Sequence, residues 1–359
     1  MNDSGKQIFK RGERMRKAYR VLAAGTMALA LAGHAQAACD LQKVVAMPVQ
    51  TDGNLLTVDG SLDGHKIRFL IDTALSRSLV LAPAAEAMGL QVTDSREAWV
   101  KAQNLGKSVG DTTVGQMVVG LLGMKNIRLL VVGQRADLGA KDVVAVFGRD
   151  FLSQFDVEID LAKNTLTLYS PQPAACKDAN LAFWSDKYNV AAMGKNDLLA
   201  AQINDEDVKA VLDSGERYST LSTRVAQRAG ITRDSDAKVT AEHLPTDVIS
   251  LSYEMGIYQR TANLQQSGET MTGGEIRKAP DAWQGQFDSF SLDQEVVKNG
   301  SLRYQRFPEA KSNTGSFVDR ETAAQELMLG VDFLRAHHVL VSYSQKKVYF
   351  TYVGGPAFQ

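Results

Sequence analysis

Beyond residue 38 the chain is written mostly in short apolar and polar alternations, the period of two that marks a half-buried strand. The runs 155–161, 165–169, 339–343 and 348–352 have this form. Asn164 and the pair Gln345 and Lys346 supply polar hairpin ends. Two other runs, Phe69 to Ile71 and Ala210 to Leu212, are wholly apolar, and each stops at an aspartate. Two short stretches carry clear helical signals. Residues 82–90 have Pro83 where a first turn tolerates it and Gly89 where a left-handed cap is expected, and Gly230 takes the same place in residues 223–231. This pattern predicts a mainly β protein with few helices.

These elements recur in the same order. In the first half an apolar strand leads into Asp72, Thr73, Ala74, a turn and a helix; in the second it leads into Asp213, Ser214, Gly215, a turn and a helix. Ser78 and Ser219 each lie six residues after the aspartate. Farther on, Gly148, Asp150, Phe151 and Leu152 form a Gly-x-Asp-Phe-Leu block that returns as Gly330, Asp332, Phe333 and Leu334, and two alternating strands follow each copy. Two matched pairs in one order indicate an internal duplication. From Asp72 to Gly148 the chain runs 76 residues, and from Asp213 to Gly330 it runs 117. The extra length, about 239–322, is polar and is expected to be inserted loops and strands. Residues 177–195 read as the link between halves. The Gly-rich segment 106–120 is open to two readings, a hairpin over a cleft or a plain loop.

The N-terminus changes the setting. Basic residues from Lys10 to Arg20 precede an apolar run, 21–33, and Ala35, Gln36 and Ala37 form a small-x-small cleavage pattern. A signal peptide over 1–37 is expected, and Met15 would open a more compact version of it. The apolar run is too short for a permanent anchor. The expected product is periplasmic or secreted, with no membrane anchor after signal removal, and consists of a lobe at 38–178 and a lobe at 179–359. With 40 Lys and Arg against 41 Asp and Glu and no later basic block, nucleic acid is not an expected partner. Cys39 and Cys176, the only two cysteines, are expected to pair in an oxidising compartment, the alternative being two thiols.

The chemistry lies in the repeated aspartates. A carboxyl at the end of a buried strand loses solvation of its charged form, which raises its pKa. Two such carboxyls brought together by a pseudo-two-fold axis share one proton, hold a water, and act on a carbonyl as base and acid. Thr73 and Ser214 offer hydroxyls to support the two loops, while Ala74 and Gly215 are small enough to let them approach.

An apolar pair before Asp-Thr/Ser-Gly, with a later apolar-Gly-x-Asp-Phe-Leu, resembles the aspartic peptidase pattern of the retropepsin-like and pepsin-like families. The resemblance spans most of the chain after the signal. It implies two related acid-protease-like β-barrel lobes with a cleft between them, and aspartic endopeptidase activity through Asp72 and Asp213. The loops would be shaped by Thr73, Ala74, Ser214 and Gly215, and the substrate would be a peptide or protein. Retropepsins assemble this cleft from two identical chains; here one chain carries both halves, so a monomer is expected. Gly148 and Gly330 would hold the aspartate loops from behind.

One departure bears on activity: Ala74 stands where the family has glycine, and its methyl would crowd the dyad. The same fold acting as an inactive peptide- or protein-binding module is therefore the alternative. A two-carboxylate glycoside hydrolase fits the paired Asp-Thr and Asp-Ser motifs less well. Asp150 and Asp332 are expected to cap the helices that follow them. His337 and His338, adjacent in a strand, would face opposite ways. No histidine spacing suits zinc, so no metal and no cofactor are expected.

Overall fold

The computed structural model describes residues 39–75, 77–94, 110–132, 140, 142–177, 179–234, 239, 282–307 and 325–359. Residues 1–38, which include the expected signal peptide, and residues 240–281 and 308–324 of the long polar stretch lie outside the described residues. The first half supplies β1 (Lys43–Pro48), β2 (Thr57–Leu62), β3 (His65–Ile71), β4 (Leu79–Leu81), β5 (Val92–Asp94), β6 (Gly110–Val119), β7 (Leu122–Val132), β8 (Val143–Phe147), β9 (Asp156–Asp160) and β10 (Thr165–Tyr169). The second supplies β11 (Asn189–Ala192), β12 (Leu199–Ile203), β13 (Glu206–Leu212), β14 (Thr220–Ser222), β15 (Thr232–Arg233), β16 (Trp283–Leu292), β17 (Glu295–Gln305), β18 (Leu327–Leu329), β19 (His337–Ser342) and β20 (Lys347–Tyr352).

The duplication is complete at the level of topology. One sheet runs β2-β3-β8-β4-β7-β6-β5, and a second runs β12-β13-β18-β14-β17-β16-β15, each strand ten places on. Extra pairings of β2 with β6 and of β12 with β16 close each sheet into a six-stranded barrel. A third sheet, β1-β10-β9-β19-β20-β11, takes three strands from each half. Its central seam pairs β9 antiparallel with β19, Ile159 opposite Val339. The protein is mainly β, as the alternating pattern predicts, with two barrel lobes, as the family resemblance implies.

The apolar runs before the aspartates have a direct cause. β3 lies inside its sheet, parallel to β8, and is covered on both faces. Phe69 and Ile71 enter the main core, while Leu70 packs with Leu55, Leu79 and Val146 on the other side. β13 repeats this with Ala210, Val211 and Leu212, all buried. The short helices end as expected: Gly89 and Gly230 take φ of 66° and 65°, where a side chain is strained.

Three expectations change. Residues 283–305 of the polar stretch are not an insertion: they form β16 and β17, which the barrel requires. They read as polar because one face of this hairpin meets water along most of its length. Gly110 to Val119, within the Gly-rich segment, is barrel strand β6, paired with β5, β7 and β2; residues 106–109 lie outside the described residues. The link 177–195 is partly sheet, since β11 forms the edge beside β20.

Cys39 and Cys176 form a disulfide, 137 residues apart in sequence. Replacing both by serine is expected to lower the unfolding free energy by about 3–5 kcal/mol in the chain-entropy account. Equilibrium urea unfolding, with and without reductant, measures this.

Candidate active site

Asp72 follows β3 and Asp213 follows β13. Each backbone N–H donates to the last carbonyl of the parallel neighbour strand, Asp72 to Phe147 at 3.1 Å and Asp213 to Leu329 at 2.9 Å. The strand ends therefore fix where the two side chains begin. Both side chains are buried and lie within hydrogen-bonding reach of each other.

The next residues lock the loops to one another. Thr73 Oγ1 donates to the Leu212 carbonyl at 2.6 Å and accepts from the Ser214 N–H at 3.1 Å. Ser214 Oγ donates to the Ile71 carbonyl at 2.7 Å and accepts from the Thr73 N–H at 3.1 Å. Each hydroxyl thus satisfies one donor and one acceptor of the opposite repeat, in a place closed to water. Gly215 lies against Asp72: a Cβ there would come within 2.4 Å of Asp72 Oδ2. Ala74 is half-buried and does not take a positive φ, and its N–H donates to Asp72 Oδ1 at 2.9 Å. Of the two equivalent small positions, only 215 excludes a methyl group.

The Gly-x-Asp-Phe-Leu blocks sit behind these loops. The Gly148 N–H donates to Ser78 Oγ at 2.8 Å, and that hydroxyl donates to Asp150 Oδ1 at 2.7 Å, which also accepts the Ser78 and Phe151 N–H groups. Gly330, Ser219, Asp332 and Phe333 repeat the network at 2.7–3.0 Å. Gly148 and Gly330 have no room for a side chain, since a Cβ would meet loop backbone at 2.9 Å and 2.7 Å. The capping expectation for Asp150 and Asp332 is corrected. Glycine occupies the cap position, and each aspartate, inside the first turn, reaches across to its serine. A sequence spacing shows the helix but not the loop some 70–110 residues away that the aspartate holds.

The carboxyl pair is not symmetric. Asp72 Oδ1 accepts two N–H groups, from Ala74 and from Leu75 at 2.7 Å. Asp213 Oδ1 accepts one, from Gly215 at 3.0 Å, because the next N–H, of Glu216, donates instead to the Asp213 carbonyl. Burial raises both carboxyls above the usual range. At Asp72 the two N–H bonds pull against burial. At Asp213 the charges of Asp72 and Glu216 add to it, so its pKa is raised well above the usual value. Donors aimed at one carboxylate favour its charged form.

The sequence reading missed Glu216, which stands where the first repeat has Leu75. It is buried, and burial followed by the charges of Asp72 and Asp332 pushes its carboxyl up to about 8. It also missed a contact between the repeats: Arg149 pairs with Asp197 at 3.2 Å, and Asp197 pairs in turn with Lys346 of its own half at 3.0 Å. His337 and His338 do face opposite ways, to Glu295 and Glu158, each at 2.7 Å. Among the described residues no group of three or more His, Cys, Asp or Glu is arranged to hold a metal. No helix among them is long and apolar enough to cross a membrane.

Residues 58–154 match the family described as gag-polyprotein putative aspartyl protease. The chain resembles the retropepsin-like aspartic peptidases. Similar solved structures include a retropepsin-like aspartic protease from Rickettsia conorii, with 21% identity, 35% of this chain and 89% of that chain covered, and a TM-score of 0.26. The aspartic proteinase from Irpex lacteus shares 8% identity over 88% of this chain and 98% of that chain, with a TM-score of 0.42. Basic 7S globulin from soybean shares 10% identity over 87% and 95%, with a TM-score of 0.42. No curated protein matches the chain.

Two outcomes are expected from this geometry. Ser214→Ala strands the Ile71 carbonyl and the Thr73 N–H in a dry interface, and should lower the unfolding free energy by about 2–4 kcal/mol in chemical denaturation. The second concerns pH. Asp332 is raised by burial from 3.8 to about 6, and Glu216 from 4.5 to about 8. Between the unfolded and folded values the native state holds more protons than the unfolded chain, so stability falls as pH rises through this window. Urea midpoints should drop from pH 5 to pH 8, and Glu216→Gln should flatten that slope.

Proposed function

We propose that the protein is an exported aspartic endopeptidase whose Asp72 and Asp213 act as one dyad on a peptide or protein substrate. The reading is carried by the Thr73 and Ser214 exchange, which holds two buried carboxyls from equivalent strand ends within reach of each other. Like charges so placed cannot both ionise easily, so one proton is shared. Asp72, with two N–H donors, is the ionised partner, and Asp213 holds the proton.

The reaction follows from that assignment. A water between the carboxyls gives a proton to Asp72 as its oxygen attacks the scissile carbonyl carbon, and Asp213 donates to the carbonyl oxygen. The resulting diol collapses: Asp72 returns a proton to the leaving nitrogen, the C–N bond breaks, and one hydroxyl proton goes back to Asp213. One water is consumed, the dyad is restored, and no cofactor is called on. Thr73, Ser214, Ala74 and Gly215 hold the loops. Since one chain carries both loops, a monomer suffices. The lobes at 38–178 and 179–359, removal of 1–37 on export, and a periplasmic or secreted location belong to the same reading. The disulfide supports the location.

Cleavage of a peptide mixture across pH, compared with Asp72→Asn and Asp213→Asn proteins of native circular dichroism, tests it. Each substitution is expected to lower kcat by at least about 10³-fold, since either change removes a member of a unit. A folded wild-type protein that cuts nothing between pH 3 and 9 would leave the inactive binding module in its place.

A further inference from the structure

The first repeat shows that this loop folds with an apolar residue after the small one: Leu75 fills the place, and its N–H serves Asp72. The second repeat has Glu216 there, with 5% of its surface exposed. Its backbone is fixed at both ends, the N–H donating to the Asp213 carbonyl at 3.2 Å and the carbonyl accepting the Val331 N–H at 2.8 Å. Its Oε1 is buried and has no hydrogen-bond partner among the described residues. A carboxyl in such a place is expensive.

We propose that Glu216 is a third carboxyl of this site, a positioning residue that acts on catalysis through Asp213. The proposal rests on the dyad reading above and deepens it. The charged groups that bear on Glu216 are Asp72 and Asp332, which disfavour its ionisation, and Arg303 of β17, which favours it; Arg217 is its chain neighbour, and Arg149 bears on Asp72. Asp213 in turn feels both Asp72 and Glu216. Three coupled carboxyls release their protons in sequence. Asp72 goes first, helped by its two N–H donors. Glu216 follows at about 8. Its charge, like that of Asp72, opposes loss of the Asp213 proton. The singly protonated dyad, the form that cleaves, survives to higher pH than two aspartates alone would allow.

The test uses the full chain with Glu216→Gln, which keeps shape and hydrogen-bonding capacity but cannot ionise, and Glu216→Asp, which keeps the charge. Two readouts are taken: kcat/KM against pH, and a 13C NMR titration of the side-chain carboxyls with Asp213→Asn as the assignment control. Glu216→Gln is expected to move the alkaline limb of kcat/KM and the Asp213 titration down by about one pH unit, and to leave the acid limb in place. Glu216→Asp should recover at least half of the shift. A profile scaled uniformly, with the limb unmoved, would mean a merely structural side chain and overturn the proposal. If the wild type cleaves nothing, the peptidase reading fails by itself. The titration still decides the coupling: an Asp213 value lowered in Glu216→Gln upholds it, and an unchanged value sinks it.

Discussion

Two hydroxyl groups hold the centre of this molecule together. Thr73 and Ser214 each donate to the last carbonyl of the other repeat's strand and accept the other loop's N–H. Buried strand ends carry polar groups that must be paired, and here each repeat can pair its own only by using the other. The two halves are therefore matched in position to within the tolerance of a hydrogen bond. The rest of the architecture supplies the conditions: β3 and β13 must end at the same point, the barrels behind them must be closed, and the seam of β9 with β19 must set the distance between them.

Behind that contact each lobe carries the same brace. A glycine N–H, a serine hydroxyl and an aspartate form a chain that ties the loop to the helix after β8 or β18. Glycine is needed because the loop backbone lies where a Cβ would project. Removing any member leaves buried partners unsatisfied, which costs more than the bond itself contributes. The brace does not reach the carboxyls directly; it immobilises the loops that present them. Arg149 then leaves the brace of the first lobe to pair with Asp197 of the second, so the support also crosses between halves.

The symmetry of the scaffold ends at the carboxyls. Asp72 receives two N–H groups and Asp213 one, and Glu216 replaces Leu75. Four acidic side chains, Asp72, Asp213, Glu216 and Asp332, are buried in this one region, and all are raised. A low-dielectric interior makes such groups read one another's charge strongly. Duplication provides two equal loops, and these small inequalities let one carboxyl differ from the other.

Much of this was legible along the chain, and the division follows from the range of the forces involved. Strand periodicity, the apolar runs that end at Asp72 and Asp213, the glycine caps and the doubled order of motifs are local features, each decided by residues a few positions apart. Even Ser78 and Ser219 were visible as a matched pair, because repetition marks positions without saying what they touch. What they touch was settled only by folding. The serines find Asp150 and Asp332 because β8 and β18 return parallel to the strands before the loops, and the two hydroxyls at 73 and 214 meet because the barrels face each other. Burial decided the remainder. The polar hairpin of β16 and β17 belongs to a barrel wall wetted on one side, and Glu216 looks like an ordinary turn residue until the loop closes around it. A sequence records the side chain, but the solvent it loses and the charges it meets exist only in three dimensions.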